Sequence, residues 1–535
     1  MSSFALIQVL LQAFSVNVYR KQQVGGQLQC YNDFMKLQRN ISLFTAFIIA
    51  FAAVVCPLFA ADAEDALRRD LDVIFTDTRL SDAQWGVAVY SLDREESLFA
   101  HNANKLYIPA SNEKILTAAA AFLRLGPEYR FKTRVLTDGA VDGDILRGNL
   151  VIQGFGDPAL STRMDGGKDP FTTFRAFAGW LKERGIKAIA GNIAGDASAF
   201  KGTGFGRGWE LDDLTESYAA PVSALAFNEN YASIQIRPGA KAGDAAVLSS
   251  EPLPGYPYID NSVVTTDAGG AASVIVEHVP GDAGAPETIK IRGTVPLKSQ
   301  PVRRSVPIRR PVHYYLEALR RQLDKEGIDV SDCAIKEDYH ALKSGGSETV
   351  ELLMTHESAP LAEILTPVLK DSLNMPSEML LRVLGLEIRG EGTDSAGIEV
   401  VTETLETMGI RKGSYIYSDA SGLSRRNLIS ADVFVRALGF MYKQPVFQRF
   451  YAAMAVAGVD GTLKNRLTGT ALKGNIHAKT GTISGVSAIS GYVRTADGEM
   501  LAFSIIANNY ASGKAVAENI QNSAIQRLAR FSRKQ

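Results

Sequence analysis

The sequence predicts a multi-domain α/β chain in which helices and strands at the two ends flank a mainly β middle. Three observations carry this expectation. The 535 residues are 46% hydrophobic and 21% charged, an ordinary globular composition long enough for several domain-sized units. Apolar residues recur at helical spacing near both ends. Between about Asp138 and Glu351 the texture turns to short alternating runs set among Gly, Asp and Pro clusters.

From the start of the chain, Ile41 to Val55 form an apolar run interrupted only by Ser42 and Thr45, with Lys36 and Arg39 before it and Phe59-Ala-Ala-Asp-Ala63 after it. A positive flank, a short apolar core and a small-residue end are the parts of a cleavable secretory signal. The run falls short of the roughly 20 residues that span a bilayer. Residues 35–63 are therefore expected to be a signal peptide and the mature protein to be periplasmic. A retained anchor, a lipid-anchored Cys56 and loose membrane association are the competing outcomes. Met35 opens this signal, so the working start is expected there, with residues 1–34 an over-extended reading frame. Cleavage would leave Cys333 as the one remaining cysteine, which excludes a disulfide or zinc framework.

Beyond the signal, Leu67, Leu71, Ile74 and Phe75 mark a helix; Trp85–Leu92 and Ser97–Ala100 read as paired strands about a polar turn. Ser111 opens a helix whose tail, Thr117-Ala-Ala-Ala-Ala-Phe-Leu123, is apolar on every side and so belongs inside a domain. In the middle, Gly148–Gln153, Ser233–Ile236 and Ser273–Glu277 read as strands and His313–Lys325 as an amphipathic helix. The last third predicts helices over Ser358–Leu373, Pro376–Arg389, Ile398–Met408 and Ser430–Lys443. Strands follow at Asn475–Thr482, Val486–Thr495 and Glu499–Asn508, and a closing helix at Ala515–Arg530. The expected division is 64–138 with 352–535 as one domain and 139–351 as an insertion.

Charge and motif patterns narrow the chemistry. Lys plus Arg number 57 against 58 for Asp plus Glu, so nothing in the balance suggests a nucleic-acid partner. The six histidines are scattered, with no Gly-x-Ser-x-Gly elbow and no His-Glu-x-x-His, which removes support for a serine–histidine hydrolase or a metalloenzyme. His477 lies two residues before Lys479 and is expected to be a strand histidine with a structural partner. No metal or cofactor is expected.

Ser-x-x-Lys occurs twice, as Ser111-Asn-Glu-Lys114 and Ser198-Ala-Phe-Lys201. A chain this long supplies roughly two such strings by chance. Lys201 runs into a glycine-rich loop, whereas Ser111 begins a helix that carries Lys114 one turn along on the same face. A serine hydroxyl needs a neighbouring base to become a nucleophile. Lysine can serve once burial or a second cation lowers its pKa by roughly three units, about 4 kcal/mol. Alone, the motif reads more simply as a helix cap with its lysine in water.

Lys479-Thr480-Gly481-Thr482 contains the sole Lys-Thr-Gly, where chance would give roughly 0.15. On a strand beside a cleft, its lysine and threonine suit a carboxylate and its glycine allows close approach; a plain hairpin edge is the alternative. Ser372-Leu-Asn374, just before Pro376, offers a hydroxyl for proton relay and an amide for a peptide carbonyl, a weak signal by itself.

Ser-x-x-Lys, Ser-x-Asn and Lys-Thr-Gly in this order form the joint signature of penicillin-binding proteins and class A β-lactamases. With Gly154-Phe-Gly-Asp-Pro158, Val222-Ser-Ala-Leu225, Asn228-Glu-Asn230, Ser418–Arg425 and Asp460-Gly-Thr-Leu463, the chain resembles the class C penicillin-binding proteins of the D-alanyl-D-alanine carboxypeptidase/endopeptidase type. The resemblance implies a transpeptidase/β-lactamase-like domain, an antiparallel sheet flanked by helices, with the insertion between the first two motifs. It implies that Ser111 attacks the penultimate D-Ala carbonyl with Lys114 as base, that the oxyanion rests on the backbone N–H groups of Ser111 and Thr482, and that Lys479, Thr480 and Thr482 bind the terminal carboxylate beside Gly481. Ser372 would relay a proton, Asn374 would position the substrate and Arg425 would contact it near the cleft. Asp196 would meet the amine of a cross-linking diamino acid, with an ordinary turn aspartate as the alternative. The implied partners are peptidoglycan stem peptides ending in D-Ala-D-Ala, D,D-cross-links and β-lactam antibiotics. A β-lactamase-like hydrolase and a catalytically silent wall-binding scaffold are the rival readings.

Overall fold

The computed structural model describes residues 63–164, 169–279, 287–343, 350–469 and 472–534. The signal sequence expected over 35–63 and the segment 1–34 lie, but for Ala63, outside the described residues. Everything below concerns the compact unit Leu67–Phe531.

One antiparallel sheet of six strands draws on both ends of the chain. Its order is Ala455–Val456, Ile476–Ile483, Val486–Arg494, Met500–Asn508, Gln84–Ser91 and Glu96–His101. Met500–Asn508 is buried at every position and Val486–Arg494 at all but the last, because helices cover both faces of the sheet centre. Such strands read as near-continuous apolar runs rather than as alternation. Asp497 and Gly498 turn between them, with Gly498 at φ +92°.

The helix Lys114–Arg124 runs through the centre of the largest core. Ala118, Ala119, Ala120 and Ala121 are at most 1% exposed, so its neighbours approach closely on all sides. Leu365 and Leu369, Leu381 and Leu384, and Phe434 and Leu438, from three surrounding helices, pack in the same core. An enlarged side chain at any of these alanines would have to displace packed neighbours at a cost of about 1–3 kcal/mol.

Between these two parts of the chain lies a second architecture. A five-stranded mixed sheet has the order Ile335–Lys336, Ile193–Asp196, Leu150–Gly154, Arg130–Thr137, Glu351–Pro360. Two three-stranded sheets, spanning Tyr231–Pro307, share its apolar core with the helices Thr172–Glu183 and Pro311–Lys325. Arg130–Thr137 and Glu351–Pro360, which lead in and out of this region, pair with each other inside its sheet. The helix expected from Ser358 therefore starts only at Leu361: Ser358 and Pro360 belong to the strand, and Ser358 Oγ accepts from the Phe131 N–H at 2.9 Å. Among the described residues, no helix is long and apolar enough to cross a membrane.

Candidate active site

Tyr107-Ile-Pro109 leads into a 3₁₀ turn, Ala110–Glu113, and the central helix follows from Lys114. Ala110 adopts φ +46°, a left-handed conformation that costs a non-glycine residue about 1–2 kcal/mol and sharply redirects the chain. Ser111 is thereby held at the open N-terminal end of a buried helix, where unpaired N–H groups create a positive potential.

Two glycines let other segments reach this turn. A Cβ on Gly481 would lie 2.5 Å from the Pro109 carbonyl oxygen and 2.9 Å from the Ser111 nitrogen. One on Gly422, at φ +79°, would lie 1.9 Å from the Ala110 carbonyl oxygen. The strand Ile476–Ile483 and the Ser418–Arg425 turn thus press their backbones against the Ser111 turn, which only glycine permits.

Lys114, 1% exposed, makes three hydrogen bonds: to Ser111 Oγ at 2.8 Å, to Asn374 Oδ1 at 2.8 Å and to the Ser421 carbonyl at 2.6 Å. The amide and carbonyl oxygens are acceptors only. Once the nitrogen is neutral, its two hydrogens stay on those partners and its lone pair faces Ser111 Oγ. Burial lowers the Lys114 pKa to about 7, against the opposing pull of Asp419, Glu378 and Glu113.

Asn374 begins the helix Asn374–Arg389, and its Nδ2 donates to the Tyr218 carbonyl at 3.1 Å, which turns Oδ1 toward Lys114. Ser372 precedes it at φ +62°, between two helices, and its Oγ accepts from Lys479 Nζ at 2.8 Å. Lys479 is fully buried and also donates to the Thr480 carbonyl at 2.6 Å. Burial, then the Lys114 charge, hold its pKa well below the ordinary lysine value. Thr480 Oγ1 donates to Thr462 Oγ1 at 2.8 Å, which ties the Asp460-Gly-Thr-Leu463 turn to the Lys-Thr-Gly strand. The three motif segments therefore converge, with two lysines on two serine hydroxyls.

A cleft of about 380 Å³ opens here, lined by Ser111, Asn374, Thr482 and Arg425 together with Glu210, Asp213 and Tyr218. Arg425 donates to the Ser484 carbonyl at 2.8 Å and lies 3.3 Å from Glu210. Glu210, Asp213 and Tyr218 have no signal in the sequence beyond following a glycine-rich loop. Larger clefts elsewhere, including one of about 660 Å³ beside Lys370 and Asp371, contain neither Ser111 nor Lys114.

The remaining candidates sit apart. Ser198 Oγ is bonded to Asp196 at 2.5 Å and near His340 at 3.2 Å, while Lys201 is exposed, so this second Ser-x-x-Lys is a surface turn. Asp196, the last residue of the strand Ile193–Asp196, accepts from Ser198 and Gln153, lies 3.2 Å from His340 and is 5% exposed. His477 is engaged by the Tyr451 carbonyl at 3.0 Å and stacks on that ring. Among the described residues, no group of three or more His, Cys, Asp or Glu is gathered for a metal ion.

The sequence profile of the D-Ala-D-Ala carboxypeptidase 3 (S13) family matches residues 67–531. The chain is 34% identical over 516 residues to the D-alanyl-D-alanine carboxypeptidase of Actinomadura sp. (strain R39), covering 92% of this chain and 91% of that protein. It is 27% identical to D-alanyl-D-alanine carboxypeptidase DacB of Haemophilus influenzae over 80% of this chain and 86% of that one. Among solved structures, penicillin binding protein 4 from Haemophilus influenzae superposes with a TM-score of 0.70 at 27% identity, covering 83% of this chain and 95% of that chain.

Proposed function

The chain belongs to the D-Ala-D-Ala carboxypeptidase 3 (S13) family, and from that membership we propose that it hydrolyses D-Ala-D-Ala termini through an acyl-enzyme on Ser111. It is a serine-type D-alanyl-D-alanine carboxypeptidase. The roles below are our reading of its residues.

Ser111 Oγ attacks the carbonyl carbon of the penultimate D-Ala while its proton passes to the Lys114 lone pair. The single observation that carries this reading is the bonding of Lys114 Nζ, whose other two partners accept only and leave Ser111 Oγ as the remaining neighbour. The oxyanion lies at the helix N-terminus against the Ser111 and Thr482 N–H groups. Lys479, Thr480 and Thr482, with Gly481 allowing close approach, receive the terminal carboxylate. Ser372, held by Lys479, returns the proton to the leaving amine, and Asn374 orients the peptide. Water then releases the acyl group from Ser111.

Arg425 binds substrate at the mouth of the cleft, where Glu210 and Asp213 add negative charge facing the peptide. The same nucleophile serves D,D-cross-links, giving endopeptidase action, and penicillins acylate it through their strained amide. Such substrates lie outside the cytoplasmic membrane, which agrees with export by residues 35–63 to the periplasm. We take 139–351 as an inserted module whose Tyr218 and Glu210 complete the cleft.

Labelling with a fluorescent penicillin tests the assignment. The wild type and Ser198→Ala give a covalent band and Ser111→Ala gives none. A band retained in Ser111→Ala refutes it, and rapid drug turnover with no lasting band would favour the β-lactamase reading.

A further inference from the structure

Behind Lys114 stands a carboxyl group that does not line the cleft. Glu378 lies four residues after Asn374, on the same face of the helix Asn374–Arg389, and is 2% exposed. Its Oε1 accepts the Ser421 N–H at 2.8 Å and the Ala420 N–H at 3.1 Å, and Oε2 takes the Ala420 N–H at 3.2 Å. These donors flank the turn whose next feature is the Ser421 carbonyl, the shortest of the three bonds to Lys114. One helix face thus reaches the lysine twice: directly through Asn374 and by way of the Ser421 residue through Glu378.

Burial and the neighbouring Asp419 charge push the Glu378 carboxyl up to about 8, so near neutral pH its part is that of an acceptor for these N–H groups. Glu113, at the start of the same helix as Lys114, is fully buried with neither carboxyl oxygen hydrogen-bonded, and burial holds it well above the usual carboxylate range. Asp419 is engaged by the Gly422 and Ser424 N–H groups, Asn427 and Trp209. From the strand side Lys479 approaches, its pKa held well below the ordinary lysine value by burial and the Lys114 charge.

We propose that Glu378 is a positioning residue for acyl transfer: by accepting the Ala420 and Ser421 N–H groups it keeps the Ser421 carbonyl on Lys114 while Lys114 takes the Ser111 proton. In that step the Ser111 O–H bond breaks, the Oγ–carbon bond forms and the neutral amine becomes an ammonium in a dry pocket. The Ser421 carbonyl, held at 2.6 Å, accepts from that ammonium and offsets part of the cost of its burial. The inference rests on Lys114 being the base.

The test separates affinity from chemistry. Acylation of the full chain by a fluorescent penicillin is followed in rapid-mixing experiments against drug concentration and pH, with thermal melts of each variant. Glu378→Ala removes the acceptor of both N–H groups and frees the Ser421 turn. The pre-covalent dissociation constant should stay within twofold, since Glu378 is absent from the cleft wall, while the plateau acylation rate falls at least tenfold. With the Ser421 carbonyl displaced, the Lys114 ammonium loses an acceptor and holds its proton less firmly, so the acid limb moves to lower pH. A plateau within twofold of the wild type, or an acid limb that does not move, overturns the proposal. Should Glu378→Ala fail to fold, Glu378→Asp carries the test. It retracts the acceptor by one methylene, so the plateau falls and the limb moves the same way; a wild-type plateau there overturns the proposal equally. Lys114→Ala in parallel distinguishes the failures. Full acylation in that variant would remove the base assignment itself, whereas loss there with an unaffected Glu378→Ala would remove this inference alone.

Discussion

Acylation should depend on pH through one buried lysine. Lys114 must be neutral to receive the Ser111 proton, and burial brings its pKa to about 7. An ordinary lysine near 10.4 is neutral in only about one molecule in 2,500 at pH 7, so burial raises the competent fraction by roughly 10³. Lowering pH protonates Lys114 and removes the base. The acylation rate should therefore fall about tenfold per unit below pH 7, reaching roughly 1% of its plateau at pH 5. Lys479 supplies the opposite limb: its pKa is also depressed, and as alkali removes its charge the carboxylate site weakens. The assay is the pseudo-first-order rate of covalent labelling by a fluorescent penicillin from pH 5 to above 9, with circular dichroism at each pH to show that the fold persists. A rate that stays flat from pH 5 to 8, or an acid limb that appears only above pH 9, would refute the reasoning. The same depression has a stability counterpart. Between about pH 7 and 10.4 the unfolded chain keeps the proton that folded Lys114 has lost, so this group favours folding increasingly as pH rises through that window. Its penalty is complete below about pH 7.

Two further substitutions probe the frame that holds the lysine. Gly422→Ala puts a methyl 1.9 Å from the Ala110 carbonyl oxygen at a left-handed φ, so the Ser421 and Ser111 turns must part. A displacement of roughly 1 Å costs about 10²-fold in acylation, measured by labelling kinetics beside a melt; wild-type kinetics would contradict the packing account. Trp209→Phe deletes the indole N–H that donates to Asp419 Oδ2 at 2.9 Å. Leaving that buried carboxylate one donor short should lower stability by about 1–3 kcal/mol, read from urea unfolding midpoints.

How far the sequence carries the site can be seen residue by residue. Lys114 and Ser111 are legible because a separation of three on a helix puts them on one face, and the structure gives them a 2.8 Å hydrogen bond. The Lys-Thr-Gly strand is legible from the alternation around Lys479, and its pairing with Val486–Arg494 follows that pattern. Glu378 and the Ser421 carbonyl leave no local trace: a glutamate in a helix and a backbone oxygen look like any other until the fold places them beside Lys114. Glu210, Asp213 and Tyr218 are hidden for the same reason, since they come from the middle of the chain and meet the cleft across more than 150 residues of sequence separation from Asn374. Ser358 and Pro360 follow a helical pattern in composition, yet they become a strand because Arg130–Thr137 offers them an edge.

By itself, then, the order of residues determined the local periods, the three motif strings and the turns that glycine permits, because these depend on neighbours a few positions apart. Whether Lys114 is a base was decided only by tertiary structure. Its proton affinity is the sum of desolvation by a core built from both ends of the chain and of fields from Asp419, Glu378 and Glu113, two of which come from distant segments. Such a sum has no period and no spacing, so it exists only once the chain has closed around the lysine.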